Sequence, residues 1–327
     1  MPEYDLVGIG NALVDVVAQA DDAFIDDNAL AKGAMTLIDA DQADALYDRM
    51  PPGIESSGGS CANTMAGFAA LGGKGAYIGR VKDDQFGTVF RHDMRALGCA
   101  FDTAAAADGP PTGRCLITVT PDAQRTMCTF LGAACLLAPE DLDEAVIQSS
   151  RVLYMEGYLF DQPPAQKAFV DAAEMAHAAG REVSVTLSDG FCVDRHRDAF
   201  LALVEHHIDI LFANEDEICS LYQVDRFDDA LQRVRGHCKI ACLTRSEKGA
   251  VVVSGEEVHV IDAEPVDRVL DTTGAGDQYA AGFLYGYTQG RDLQSCGRMG
   301  AITAAEVIQH YGARPEADLR DRVAAVG

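Results

Sequence analysis

Basic residues are scarce in this chain. Of its 327 residues 26 are Lys or Arg and 51 are Asp or Glu, a formal net charge of −25. That field repels nucleic acid and anionic membrane, because contact with a phosphate backbone takes Lys and Arg. Long apolar runs are missing as well: none approaches the ~20 residues that span a bilayer. The opening MPEYDLVGIGN lacks the basic-then-apolar layout of a signal peptide and reads as a strand. A cytoplasmic protein with no nucleic-acid or membrane partner is expected, and the acid excess would also suit a saline cytoplasm. Paired cysteines are absent too. The ten Cys include no CxxC, and the nearest two are Cys238 and Cys242. With no HExxH and no Cys/His cluster, neither a disulfide framework nor a structural metal is expected.

Two familiar phosphate signatures are missing. No GxxxxGK is followed by Ser or Thr, so there is no Walker loop. GIGNAL (8–13) has Leu13 where a dinucleotide fingerprint needs Gly, and GAGDQY (274–279) has Tyr279 there. A Rossmann dehydrogenase is disfavoured.

What is present is rhythm. Hydrophobic residues make up 48% of the chain, enough for a large buried core. Short apolar runs at 4–10, 76–81, 151–157, 182–187, 209–214 and 239–244 alternate with helical patterns at 62–71, 86–97, 164–179, 194–206 and 227–236. That order predicts an α/β fold, a mainly parallel sheet covered by helices, with ligands beyond the carboxyl ends of the strands. Three stretches break the rhythm: ALVDVVAQ (12–19), AMTLID (34–39) and GRCLITVTPDAQRTMCTFLG (113–132), the last a hairpin turning at Pro121-Asp122. They read either as a separate small β lid or as an antiparallel extension of the main sheet. The expected division is a large body of residues 1–11, 40–111 and 135–327 and a lid of residues 12–39 and 112–134. The charged tail from Arg314 reads as a surface helix.

The chemistry concentrates in glycine-rich places. In DTTGAGDQYAAGFLYG, Gly274 and Gly276 let the backbone approach a ligand, and a helix is expected to start at Asp277. Its unpaired first amides and its dipole favour an anion. Asp277 beside them is either a base for an attacking hydroxyl or the helix N-cap. SSGGSCANTMAGFAALGG offers Gly58 and Gly59 for close approach to a substrate and Asn63 in the first helical turn, or else a tight turn before an ordinary helix. In NEDEI, Asn214 and Glu217 suit a hydrated Mg2+ near phosphates or form a capping box.

Taken together these residues resemble the ribokinase-like (PfkB-type) kinase family. GGSCANTMAGFAALGGKGAYIGRVKDDQFG is similar to its N-terminal signature and DTTGAGDQYAAGFL to its C-terminal one, with NEDE and TRSEKGA in the expected order between them. The resemblance implies an α/β core with a small β lid and ATP-dependent phosphorylation of a primary hydroxyl. It implies Asp277 as base, Gly274, Ala275 and Gly276 as the anion hole, Asn214 and Glu217 (through water) for Mg2+ and phosphates, and Thr244 and Gly249 lining the nucleotide. Asp271 and Thr273 match a loop that holds a monovalent cation such as K+ in some members. GNALVDVV places Asn11 and Asp15 at the lid, similar to the Asn-Pro-Leu-Leu-Asp type of adenosine kinases with Ala12 for proline. DAQRTM is similar to their lid segment, with Arg125 toward the transferred phosphoryl group. A carboxylate at Asp15 accepts from two adjacent hydroxyls, and Met35, Leu37 and Phe130 either flank a base or fill the lid core. A nucleoside, adenosine first, is the expected acceptor, with a ribokinase- or fructokinase-like sugar kinase as the alternative. The expected assembly is a monomer or a homodimer formed through the lid.

Overall fold

The structure is a computed structural model that describes residues 2–122 and 124–326. In chain order its strands are β1 (Tyr4–Ile9), β2 (Leu13–Gln19), β3 (Met35–Leu37), β4 (Ile54–Gly58), β5 (Gly75–Ile78), β6 (Cys99–Ala100) and β7 (Thr112–Val119). These are followed by β8 (Arg125–Gly132), β9 (Ser150–Glu156), β10 (Glu182–Thr186), β11 (Ile210–Asn214), β12 (Ile240–Thr244), β13 (Ala250–Ser254) and β14 (Glu257–Ile261).

The expected parallel sheet is there. Its order is β14-β13-β12-β11-β10-β9-β1-β5-β6, with every pairing from β12 to β6 parallel. Alternate residues point to opposite faces, and both faces are dry. Leu153 and Met155 of β9 enter one core with Phe169 and Phe200 from helices Pro163–Ala178 and Gly190–His207. Val152 and Tyr154 enter the other with Phe68 and Phe283 from helices Ser60–Ala70 and Ala275–Thr288. Each such side chain, fully buried, stabilises the fold by about 2 kcal/mol. The sheet also carries an antiparallel β13–β14 hairpin, which the strand reading above omits although Val251–Val253 and Val258–Ile261 are β-rich.

The lid is a second sheet, β3-β8-β7-β2-β4, so the alternative of an extended main sheet gives way. Residues 54–58, expected in the large body, form its edge strand β4, paired antiparallel to β2. IESSG has a single branched apolar residue, which is why its pattern does not announce a strand. The tail differs as well. Helix Arg320–Ala324 buries Val323, and Leu319 and Val326 join it against Leu71, Met299 and Ile302, so the segment is anchored rather than lying on the surface.

Chain order reverses at β1, whose neighbours are β9 and β5. Such a switch point opens a crevice beyond the strand ends. Asn11 after β1 and Glu156 at the end of β9 stand in it, with Asn214 and Thr244 ending β11 and β12 farther along the same edge.

Candidate active site

Helix Ala275–Thr288 begins two residues earlier than expected, with Gly274 as its N-cap at φ 78°. Left-handed backbone of this kind favours glycine, and a Cβ on Gly274 would lie 2.7 Å from Ala313 Cα. Asp277 is therefore the third helical residue and not the cap. Its carboxylate accepts from Ser60 Oγ at 2.6 Å and Asn63 Nδ2 at 3.2 Å, both on the first turn of helix Ser60–Ala70. Burial raises its pKa to about 6; the Ser60 and Asn63 hydrogen bonds oppose the rise and the Asp15 carboxylate adds to it. A base of that kind is mostly ionised at neutral pH and still able to take a proton. Of the first amides, that of Ala275 is engaged by Thr272 O at 3.2 Å. Those of Gly276 and Asp277 have no acceptor among the described residues. A Cβ on Gly276 would meet nothing within 4 Å, so open space lies against those free donors.

The acceptor side is built by contact between the two sheets' ends. Gly58 and Gly59 are glycines because protein groups approach them: a Cβ on Gly58 would lie 2.3 Å from the Asp15 carboxylate, and one on Gly59 2.3 Å from Asn11 O. Asn11 is buried; its amide donates to Glu156 Oε1 at 2.7 Å, and its Oδ1 has no partner among the described residues. Asp15 is half-buried, and burial raises its pKa to about 6 against the pull of Arg314 and Arg125. Register pairs Asp15 with Cys115 and Ser56, Cys115 with Thr129, and Thr129 with Leu37, placing Leu37 and Met35 on the Asp15 face. Both are more than half exposed. Phe130 pairs with Arg114, on the face away from Asp15, and so does not stand beside Met35 and Leu37. That far face is covered: Leu46 of helix Ala40–Tyr47 packs in one cluster with Val14, Val16, Leu116 and Cys128.

Toward β11 and β12, Asn214 and Glu217 form the capping box. Asn214 Oδ1 accepts from Glu217 N at 2.8 Å, and Glu217 accepts from Asn214 N at 3.0 Å and Nδ2 at 2.6 Å. Glu217 is buried, which raises its pKa to about 7 against the Asn214 backbone bond, with Asp189, Asp216 and Asp277 adding to the rise. Thr244 pairs with Asn214 across the strands. Gly249 turns at φ 80°, where a Cβ would strike Ile261 O at 2.0 Å.

Residues 35–319 match the pfkB family of carbohydrate kinases. The chain belongs to the pfkB family. A probable sugar kinase from Rhizobium etli shares 49% identity and a TM-score of 0.90 over all of both chains. An adenosine kinase from Sinorhizobium meliloti shares 49% identity and a TM-score of 0.90 over 99% of this chain and 100% of that one. Adenosine kinase of Saccharomyces cerevisiae is 29% identical over 94% of this chain and 95% of its own length. The protein is thus a phosphotransferase with an alcohol acceptor, a nucleoside or sugar kinase of the pfkB family, and family membership implies use of ATP.

Three further features of this pfkB kinase bear on the site. First, Arg125 Nη1 donates to Asp271 Oδ2 at 2.5 Å, both side chains being under a tenth exposed. Asp271 also accepts from Thr273 N at 2.9 Å, Thr273 Oγ1 at 2.6 Å and Gly312 N at 3.2 Å. Burial alone would raise the Asp271 pKa, but these donors and Arg125 hold it below the usual value. With two donors on each oxygen, the carboxylate of the expected monovalent-cation loop is committed within the protein. Second, Glu156 was not anticipated. It accepts from Cys61 N at 2.8 Å and from Asn11, so it caps the helix that carries Ser60 and Asn63. Burial raises it to about 7 against those donors, with Asp277 adding to the rise. Only the lone carboxylate in VLYMEG, an otherwise apolar strand, could have flagged it. Third, Tyr158 and Phe191 are exposed aromatics past the ends of β9 and β10. Although Tyr158 as a whole is exposed, desolvation at its hydroxyl raises the pKa, and the charges of Asp189, Asp277, Glu156 and Glu217 add to the rise.

Proposed function

We propose that this kinase transfers the γ-phosphoryl group of ATP to the 5′-hydroxyl of a nucleoside, with adenosine the first candidate. The arrangement of Asp277 carries the reading: a carboxylate aimed by Ser60 and Asn63 next to the free amides of Gly276 and Asp277. In the step itself Asp277 takes the hydroxyl proton, the freed oxygen bonds to the γ-phosphorus, and the bond to the departing ADP oxygen breaks. The helix N-terminus meets the charge that gathers on the phosphoryl oxygens. Asp15 accepts from the two ribose hydroxyls, with Asn11, Gly58, Gly59 and Asn63 around the sugar. Asn214, Thr244 and Gly249 line the nucleotide side.

Exposed Met35, Leu37, Tyr158 and Phe191 favour a nucleoside over a free sugar, because a base presents flat apolar faces and a sugar does not. Mg2+ fits as a cation carried in by the phosphates. No cluster of His, Cys, Asp and Glu among the described residues is arranged to hold one, and Glu217, committed to Asn214, would reach it through water. Bound there it would neutralise phosphate charge. The covered far face of the lid supports a monomer over a dimer formed through the lid.

Measurement of ATP consumption with a panel of nucleosides and sugars, with Mg2+ and with or without K+, tests the proposal. Turnover of adenosine supports it. Turnover confined to free sugars gives the ribokinase- or fructokinase-like reading instead.

A further inference from the structure

Three elements meet on the side chain of Arg314. The segment that carries it is pinned on both sides. Gly312 N donates to Asp271 at 3.2 Å, Ala313 O accepts from Gln278 Nε2 at 2.9 Å, and Glu306 accepts from the amides of Glu316 and Ala317 at 2.9 Å each. From there Arg314 Nη1 donates to Asp93 Oδ2 at 3.0 Å, and Nη2 donates to the hydroxyl of Ser57 at 2.5 Å and to its carbonyl. Ser57 N and Oγ donate to the same Asp93 oxygen at 2.7 and 2.6 Å. Asp93 belongs to helix Gln85–Ala96 in the body, and Ser57 to edge strand β4 of the lid. Arg314 is 21% exposed.

The contact leads directly to the acceptor groups. Ser57 precedes Gly58, against whose α-carbon the Asp15 carboxylate lies, and pairs with Val14 next to Asp15. We propose that Arg314 is a positioning residue for the acceptor: it fastens strand β4 to the body and so holds the Gly58-Gly59 turn, and the Asp15 carboxylate against it, in place for the substrate's hydroxyls. This rests on the reading of Asp15 as the hydroxyl acceptor.

The groups that bear on Asp15 are Arg125 from β8, Cys115 from β7, Asp277 from its helix and Arg314 from the C-terminal segment. Only the two guanidinium groups favour its charged form, against burial. Each guanidinium also pairs with a carboxylate through Nη1, Arg125 with Asp271 and Arg314 with Asp93, and Arg314 has the larger effect on Asp15 of the two.

The test uses the full chain with ATP and adenosine, and D-ribose as acceptor should the wild type not turn over adenosine. Arg314→Gln is expected to raise the KM for the acceptor about tenfold, the worth of a charged hydrogen bond, with the KM for ATP unchanged. The acid limb of kcat/KM for the acceptor moves to higher pH, and Arg314→Lys returns the limb toward its wild-type position. A limb that stays in place in Arg314→Gln, or acceptor and ATP KM values that rise together, overturns the proposal. Ser57→Ala, a milder change at the same contact, is expected to raise the acceptor KM about threefold with ATP binding intact; no change there overturns it too. Failure of adenosine as a substrate shows in the wild type alone and leaves the comparison of variants standing.

Discussion

A carboxylate next to unpaired helix amides repels the anion those amides attract, and Asp277 is held in that position by two donors from another helix. Replacing it with Asn keeps the shape and removes the base. Asp277→Asn is expected to lose about a thousandfold or more in kcat while equilibrium binding of both reactants persists; near-normal turnover would reduce Asp277 to a structural group. Because the base works only when ionised and its pKa in the free enzyme is about 6, kcat/KM should rise with pH through that value and level off above it. Asp15→Ala removes the acceptor of the substrate's hydroxyls. It should weaken acceptor binding about tenfold to a hundredfold with ATP binding unaffected, as measured by calorimetry with each ligand. Both carboxylates were legible in the sequence because each stands in a run whose small residues demand an explanation. Glu156 and Arg314 were not, because what defines them is their partners. Glu156 acts through residues 95 and 145 positions away, and Arg314 through one 257 away. No local pattern encodes such pairings.

Elements were read with more success than their boundaries. The buried parallel strands announce themselves by unbroken apolar runs, and β7 and β8 by a turn between alternating segments. Strand β4 did not, since IESSG takes its extended form from pairing with β2 and from the hold of Arg314 rather than from its own residues. The start of the Asp277 helix was misplaced because a positive-φ glycine can end a loop or cap a helix, and only its packing on Ala313 decides. The candidate site sits where the small sheet meets the body. Arg125 on β8 is tied to Asp271 on the loop before the Asp277 helix, and that ion pair joins lid and body. Lid closure over a bound nucleoside would exclude water from the transfer. Amides of residues 113–132 should therefore exchange more slowly when adenosine and a non-hydrolysable ATP analogue are both present. Equal exchange in the free and doubly bound states would count against a closing lid.

At the scale of the whole molecule, the charge that excluded nucleic acid also sets how stability follows pH. Four carboxylates of the site, Asp15, Glu156, Glu217 and Asp277, have folded pKa values raised to about 6 or 7 by burial. A raised acid binds more protons folded than unfolded between its ordinary value and its shifted one. Its contribution to stability is therefore fully present below the ordinary carboxylate range and lost as pH rises through 6 and 7. Net repulsion among 51 acidic residues acts in the same direction. Asp93 and Asp271 oppose this: their pKa values are held low, so their contribution disappears as pH falls below the ordinary carboxylate range. The two tendencies place the maximum of stability on the acid side of neutrality, near pH 5. Catalysis by an ionised Asp277 instead needs pH above 6. The thermal midpoint should thus rise as pH is lowered from 8 to 5.5, over the range in which kcat/KM falls. Added salt should raise the midpoint more at pH 8 than at pH 5.5, because repulsion is strongest where every carboxylate is charged. A midpoint that does not rise between pH 8 and 5.5 would show that burial does not make the folded chain hold the site carboxylates' protons more tightly than the unfolded one.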